Sequence, residues 1–194
     1  MHNKTLVLAS TSRFRRELLS RLQIPFQVFS PQIDEAAWRG ETASVTACRL
    51  AEEKAKSALE AHPHALIIGA DQIAELNGKH IGKPNDHKEA VEQLRGMRGK
   101  SITFHTALAL LNGETGRLQT RLAETLVSFR NVSDGQIEAY LRREQPYDCA
   151  GSAKSEGLGI ALIAGMQGAD PNALVGLPLI ELVTLLKNEG IEVI

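Results

Sequence analysis

The sequence predicts a mixed α/β fold, in which helices flank a sheet that contains both parallel and antiparallel strands. The apolar run at residues 65–73 is typical of a strand that is covered on both faces. Amphipathic helical patterns alternate with other short strands along the chain. Asn77-Gly78 and the turn at residues 112–116 predict hairpins, and hairpins argue against a purely parallel, doubly wound sheet.

The first element is a short strand that leads into a helix through a hydroxyl-rich turn. The apolar residues 6–9 are followed by residues 10–12, Ser-Thr-Ser, and then by a helical pattern that contains Leu18 and Leu19. Hydroxyl side chains cap a helix N-terminus, where the macrodipole favours anions, and three arginines within residues 13–16 add positive charge. The turn therefore suits a phosphate; the alternative is a capped helix with solvated arginines.

The remaining elements follow in order along the chain. Strands are predicted at residues 26–29, 65–73, 79–84, 102–111 and 118–130. Helices are predicted over residues 45–59, from the capping box of Asp86 and Glu89, from that of Ser133 and Gln136, and after Pro178. Residues 149–159, rich in glycine, are predicted to be irregular.

Two charged side chains fall where the pattern predicts burial. Asp71 ends the apolar strand, and a buried carboxylate costs free energy unless it faces a cleft, a metal or a cation. Lys54 lies on the apolar face of its helix, where it either extends to the surface or binds a phosphate. That face is made of Leu50, Ala51, Ala55, Ala58 and Leu59.

Two further residues are candidates for the same site. Glu35, in a loop, could join Asp71 in holding a divalent cation, since Mg²⁺ takes one or two carboxylates together with phosphates. The alternative is a solvated acid beside Asp34. Lys83 lies between Gly82 and Pro84 and is either a phosphate contact or an ordinary surface lysine.

Composition excludes several classes of function. The net charge of −1 gives no overall attraction for nucleic acid or an anionic membrane, and no apolar run approaches the ~20 residues that span a bilayer. Cys48 and Cys149 form no CxxC pair, which argues against a zinc site and a disulfide framework and favours the reducing cytoplasm. Residues 151–159 lack the Gly-Lys-Ser/Thr ending of a Walker phosphate-binding loop. They also lack the Gly-x-Ser-x-Gly motif of a nucleophile elbow, which argues against a serine hydrolase.

Together these short motifs resemble those of the Maf nucleotide pyrophosphatases, over nearly the whole chain, and within them the branch that acts on 7-methyl-GTP. The motifs are Leu8-Ala9-Ser10-Thr11-Ser12 with Arg15-Arg16, Asp34-Glu35, residues 51–55, Ile67-Ile68-Gly69-Ala70-Asp71-Gln72, Gly82-Lys83-Pro84, residues 149–157, Asp170-Pro171-Asn172 and Val175-Gly176-Leu177-Pro178. One position departs from the family pattern: Arg13 stands where proline is usual. Proline pre-sets the first helical turn, so its absence is expected to loosen the start of the helix modestly without removing the anion site.

The resemblance implies a single domain over residues 1–194, with two lobes around a central cleft and a long mixed sheet, as in inosine triphosphatases. It also implies a Mg²⁺ or Mn²⁺ ion, a cytoplasmic location and a homodimer. The implied reaction converts 7-methyl-GTP to 7-methyl-GMP and pyrophosphate. Two alternatives stay open: a non-enzymatic regulator of cell division that binds a nucleotide or a protein, and a house-cleaning pyrophosphatase for other non-standard nucleotides.

The resemblance also implies roles for individual residues. Asp71 matches the proton acceptor, and Glu35 and Asp71 match the metal site. Asp71 cannot be both a fully committed metal ligand and a free base, and the sequence leaves these two roles open. The residues expected around the phosphates are Ser10, Ser12, Arg15, Lys54 and Lys83. The residues expected to set base preference are Phe14, Gln72 and Glu156. An aromatic face and a carboxylate suit 7-methylguanine, which is positively charged and donates hydrogens from N1 and N2.

Overall fold

A computed structural model describes residues 4–194, which form a mixed sheet with helices packed against it. The strands are β1 (Leu6–Ala9), β2 (Phe26–Phe29), β3 (Leu66–Leu76), β4 (Lys79–Ile81), β5 (Ser101–Asn112), β6 (Leu118–Phe129) and β7 (Ile163–Gly168). The helices are α1 (Arg13–Ser20), α2 (Ala43–Ser57), α3 (His87–Met97), α4 (Asp134–Glu144) and α5 (Leu179–Asn188). In residues 4–194, no helix combines the length and the hydropathy that crossing a bilayer requires.

The strand order is β2-β1-β3-β5-β6-β7, and β4 pairs with β3 outside this path. β1 is parallel to both β2 and β3. The pairs formed by β3, β4, β5, β6 and β7 with one another are antiparallel. The predicted mixed sheet is therefore confirmed.

Local sequence explains the first hairpin. Asn77 and Gly78 have φ angles of 52° and 75°, the left-handed conformation that a two-residue turn between strands requires. This turn brings β4 back alongside the end of β3, and the predicted hairpin is confirmed. The second hairpin, between β5 and β6, is also confirmed.

The two predicted capping boxes have different outcomes. In α4, Ser133 and Gln136 bond to each other's backbone N–H groups, so the box is complete. In α3, Asp86 accepts from the backbone N–H of Glu89 at 2.7 Å. The Glu89 carboxylate, however, accepts from the backbone N–H of Asn85 at 2.9 Å. Only half of that box is present.

The core lies on both faces of the sheet. Leucines of α1 and α5 pack on one face of β1, β3 and β5, and the alanine-rich side of α2 packs on the other. A third apolar cluster joins α3 and α4 to the far half of the sheet. Gly69 lets α2 approach β3 closely, because a Cβ there would collide with the backbone carbonyl of Ala51.

Three details of the sequence interpretation are wrong. Asp71 does not end its strand, because β3 continues to Leu76 through its pairing with β4 and β5. Leu59 is 36% exposed, because α2 ends at Ser57 and the chain turns away before reaching it. Strand β7 was not predicted, because residues 163–168 lack apolar alternation and are exposed except at Ile163. β7 forms through its backbone pairing with β6.

One stretch of β3 has an open edge on the β1 side. The pairing with β1 ends at Ile68, and the pairing with β4 begins at Ala74. Among residues 4–194, no strand pairs with residues 69–73 on that side. Asp71 lies in the middle of this gap and lines a cleft.

Candidate active site

A cleft of about 300 Å³ opens at the unpaired edge of β3. Its walls come from the N-terminal turn of α1, the inner face of α2, the loop after β4 and residues 148–156. The predicted site residues that line it are Ser12, Phe14, Arg15, Glu35, Lys54, Asp71, Gln72, Lys83 and Glu156. The sequence places these residues far apart, and the fold brings them to one cavity.

The centre of the cleft is a lysine held by two carboxylates. The ammonium nitrogen of Lys54 lies 2.6 Å from Oδ1 of Asp71 and 2.8 Å from Oε1 of Glu35. The side chains of Lys54 and Asp71 are only 6% and 9% exposed, whereas that of Glu35 is 57% exposed. The structure therefore excludes the alternative in which Lys54 extends to the surface.

The charges around Glu35 favour its ionised form. Partial burial raises the pKa of Glu35, but the hydrogen bond and charge of Lys54 outweigh this effect. Lys83 and Arg15 add smaller attractions, so that the pKa of Glu35 lies below its ordinary value of 4.5. Glu35 is therefore an anion near neutral pH.

Arg15 reaches the cleft from the first turn of α1. Its Nε donates to the backbone carbonyl of Gly176 at 2.9 Å, and its Nη1 donates to Oγ of Ser10 at 3.3 Å. Burial lowers the pKa of Arg15, and the charges of Asp71 and Glu35 oppose that shift. These two bonds use part of the five-donor guanidinium, and the remaining donors suit a phosphate.

The serines of the turn have different positions. Ser12 caps α1 by accepting from the backbone N–H of Arg15 at 3.4 Å, and it lines the cleft. Ser10 is 4% exposed and is not part of the lining. Its hydroxyl accepts from the backbone N–H of Ser12 at 3.2 Å, so Ser10 supports the turn from behind. A direct contact of Ser10 with phosphate stays a prediction.

Gln72 lines the cleft and also holds a neighbouring loop in position through hydrogen bonds. Its Nε2 lies 2.9 Å from Oγ1 of Thr106 and 3.0 Å from the backbone carbonyls of Ala173 and Leu174. The amide nitrogen thus fixes the loop that carries Gly176 beside Arg15. Its carbonyl oxygen is an acceptor, and a contact of Gln72 with a base stays a prediction.

Phe14 lines the cleft, and two cations lie beside its ring. The guanidinium carbon of Arg13 is 4.7 Å from the centroid of the ring, and the ammonium nitrogen of Lys154 is 5.9 Å from it. Arg13 also lies 3.7 Å from Asp148, in an exposed ion pair. Both distances to the ring are within the range of cation–π attraction, so this aromatic face accepts positive charge.

The loop that carries Glu156 is anchored from behind by helix α4. The carboxylate of Glu144 accepts from Nζ of Lys154 at 2.8 Å and from the backbone N–H of Leu158 at 2.7 Å. A Cβ on Gly157 would come within 2.8 Å of the same carboxylate, so the backbone packs directly against it. Glu156 itself is exposed and faces the cleft.

A second anchor, which the sequence did not reveal, holds the loop of Glu35. Arg49 on α2 donates to both carboxylate oxygens of Glu41, at 2.7 and 2.8 Å, and to the backbone carbonyl of Ala36 at 2.9 Å. The hydrogen bond from Arg49 is the largest cause that lowers the pKa of Glu41, to about 2. This network fixes the backbone directly after Glu35.

The donor set of the cleft fits a divalent cation. Oxygens of Glu35 and Asp71 both lie within hydrogen-bond distance of the ammonium of Lys54, so the two carboxylates are near enough to each other to be ligands of one cation. Among residues 4–194, no cluster of three histidine, cysteine or acidic side chains forms a closed metal site. Two carboxylates with phosphate oxygens as the other ligands match Mg²⁺ better than zinc.

Cys149 lines the cleft but does not suit nucleophilic catalysis. Burial, followed by the charge of Asp148, raises the pKa of its thiol to about 12. The thiolate form is therefore rare near neutral pH. Cys149 is therefore not an activated nucleophile for a covalent intermediate.

Known proteins are similar to this chain over nearly its whole length. A family model described as Maf-like protein matches residues 5–189. The chain is 56% identical to a protein of Thiobacillus denitrificans over 190 residues, which cover 98% of this chain and 94% of that protein. It is 57% identical to one of Methylobacillus flagellatus, over 97% of this chain and 98% of that protein. Both relatives carry the name 7-methyl-GTP pyrophosphatase.

Proposed function

The chain belongs to the Maf family, and from that premise we propose that it hydrolyses 7-methyl-GTP to 7-methyl-GMP and pyrophosphate. The observation that carries this proposal is the composition of the cleft lining, which combines positive charge with an aromatic face and a further carboxylate. We assign Arg15, Lys54 and Lys83 to the phosphates, as the phosphate end of the cleft, and Phe14 and Glu156 to the base, as the base end. A nucleoside triphosphate offers both chemistries, with anionic phosphates and a flat base.

Hydrolysis forms a bond from water to the α-phosphorus and breaks the bond from phosphorus to the oxygen that bridges to the β-phosphate. Asp71, held by Lys54 at 2.6 Å, orients this water and accepts its proton. Arg15 and Lys83 offset the negative charge that moves onto the leaving pyrophosphate. Glu35 would hold a divalent cation, and Asp71 would be linked to it through a water, so that Asp71 stays available as the proton acceptor; the cation would polarise the phosphate oxygens.

The base end accounts for the preference for a methylated guanine. Methylation at N7 gives the base a delocalised positive charge, which the face of Phe14 attracts. The carboxylate of Glu156 accepts hydrogens from N1 and N2 and also attracts the charge. Unmodified GTP keeps the two hydrogen bonds but loses the attraction between charges, so discrimination depends on electrostatics.

A screen for pyrophosphate release across normal and modified nucleotides, with Mg²⁺ or Mn²⁺, tests the proposal. Catalytic amounts of protein are expected to turn over 7-methyl-GTP faster than GTP. A single stoichiometric binding event would instead indicate a regulator, and a faster reaction with another non-standard nucleotide would indicate a broader house-cleaning role.

The variant Asp71→Asn tests the role of the carboxylate. It preserves the shape of the side chain but removes the proton acceptor, and general-base catalysis typically contributes about 10²–10⁴-fold to the rate. We expect a loss of that order in kcat with the fold preserved, as measured by circular dichroism. Near-normal turnover of a folded variant would refute this role. The homodimer stays a prediction, which sedimentation velocity would test.

A further inference from the structure

The pair formed by Glu144 and Lys154 stands out because nothing in the proposed reaction uses it. It lies behind the loop of Glu156, and its side chains are only 13% and 23% exposed. The ammonium nitrogen of Lys154 lies between Glu144, at 2.8 Å, and the ring of Phe14, at 5.9 Å. A positive charge therefore sits beside the surface that is proposed to receive a cationic base.

We infer that Glu144 is a positioning residue for base selectivity, because it holds Lys154 away from Glu156 and neutralises its charge. This inference rests on the proposed function and deepens it. Glu144 binds both ends of the short segment 154–158, through the side chain of Lys154 and the backbone of Leu158. Glu156 lies between these two anchors and is left facing the cleft.

Two carboxylates, those of Glu144 and Glu156, compete for the ammonium of Lys154. Glu144 is the largest cause that raises the pKa of Lys154, and Glu156 contributes in the same direction, so both carboxylates attract the same ammonium. The hydrogen-bond geometry favours Glu144. If Glu144 lost its charge, Lys154 would turn to Glu156 and occupy the acceptor that the base needs. The freed cation would also repel the positive 7-methylguanine across Phe14.

The test compares kcat/KM for 7-methyl-GTP with kcat/KM for GTP. In Glu144→Gln the amide oxygen can still accept from the backbone of Leu158, but the attraction for Lys154 falls. We expect the ratio of the two kcat/KM values to fall about tenfold, the size of one charge-assisted hydrogen bond, mainly through KM for 7-methyl-GTP. Glu138→Gln, an exposed glutamate on the same helix, is the matched control and is expected to keep the wild-type ratio.

Removing Lys154 separates this role from simple support of the loop. Lys154→Met also breaks the pair, but it leaves Glu156 free, so the ratio should stay at or above the wild-type value. The double variant Glu144→Gln with Lys154→Met should recover the ratio that Glu144→Gln loses. Thermal melting of each variant measures the structural cost independently of selectivity.

Two results would overturn the inference. One is an unchanged ratio in Glu144→Gln, and the other is an equal loss of selectivity in Glu144→Gln and Lys154→Met without recovery in the double variant. Failure of the proposed function gives a different result, because the wild-type protein would then release no pyrophosphate from either nucleotide or would show no preference between them.

Discussion

Replacing Lys54 with methionine should destabilise the protein in a manner that depends on pH. The change removes an ammonium that is 6% exposed and leaves Asp71, 9% exposed, without its ion-pair partner. Breaking a buried ion pair from one side costs about 3–5 kcal/mol. Glu35 is more than half exposed and can return to water, so we expect about 3 kcal/mol, at the lower end of this range.

The pH dependence follows from the pKa of Glu35. Folding lowers this pKa below the ordinary value of 4.5, chiefly through Lys54 among the attractive groups. The associated stability is fully present above 4.5 and is lost as the pH falls through the lower folded value. The loss of unfolding free energy in Lys54→Met should therefore be largest near neutral pH and should become smaller in acid.

Urea denaturation followed by circular dichroism, at a series of pH values, measures this loss of unfolding free energy. The loss is read from the shift of the urea midpoint, provided that the dependence of the free energy on urea concentration is unchanged. The matched control is Lys56→Met on the same helix, where the lysine is 53% exposed and pairs with Glu52 at 3.2 Å. That pair should contribute less than about 1 kcal/mol. The reasoning is refuted if Lys54→Met costs no more than Lys56→Met, or if its deficit is the same in acid as at neutral pH.

Three further predictions test the supports of the site. Gly69→Ala should cost about 1–3 kcal/mol in thermal or urea unfolding and lower turnover, because its Cβ pushes α2 away from β3; Gly96→Ala, with open space around it, should instead be neutral or stabilise by about 0.5–1 kcal/mol. Arg49→Lys loses the forked contact that fixes the loop of Glu35, so a Mg²⁺ titration of pyrophosphate release should show a higher half-saturating concentration. Arg15→Gln should weaken inhibition by added pyrophosphate about tenfold, and unchanged inhibition would contradict a phosphate contact.

The sequence predicts most of the fold because the strongest patterns agree with the tertiary packing. The continuous apolar run became β3, and Asn77-Gly78 formed the two-residue turn. Strand β7 escaped prediction because it depends on pairing with β6 and buries little of its own surface. A strand whose stability comes from its neighbour's backbone leaves a weak pattern in its own side chains.

The residues of the site also differ in whether the sequence pattern reveals them. Asp71 and Lys54 are recognisable because each places a charge on an apolar pattern, and the structure brings the two together. The anchor Glu144 follows no such pattern, since it lies near the polar end of a helix and its partner is ten residues away in an irregular loop. Gly157, which packs against that carboxylate, is the one local sign of a close contact.

The balance of charge at the phosphate end bears on the proposed metal ion. Arg15, Lys54 and Lys83 are cations, and Glu35 and Asp71 are anions, so the residues nearest the reaction are close to neutral as a group. A triphosphate brings several negative charges, which gather on the leaving pyrophosphate during cleavage. The carboxylates already engage Lys54, and so the protein's own cations cannot offset that charge in full. Two carboxylates reduce the positive charge of an anion-binding cleft, which is physically reasonable if they would hold a divalent cation there. Such a cation would restore the lost positive charge beside the phosphates, and this balance of charge supports the proposed metal in addition to the residue types.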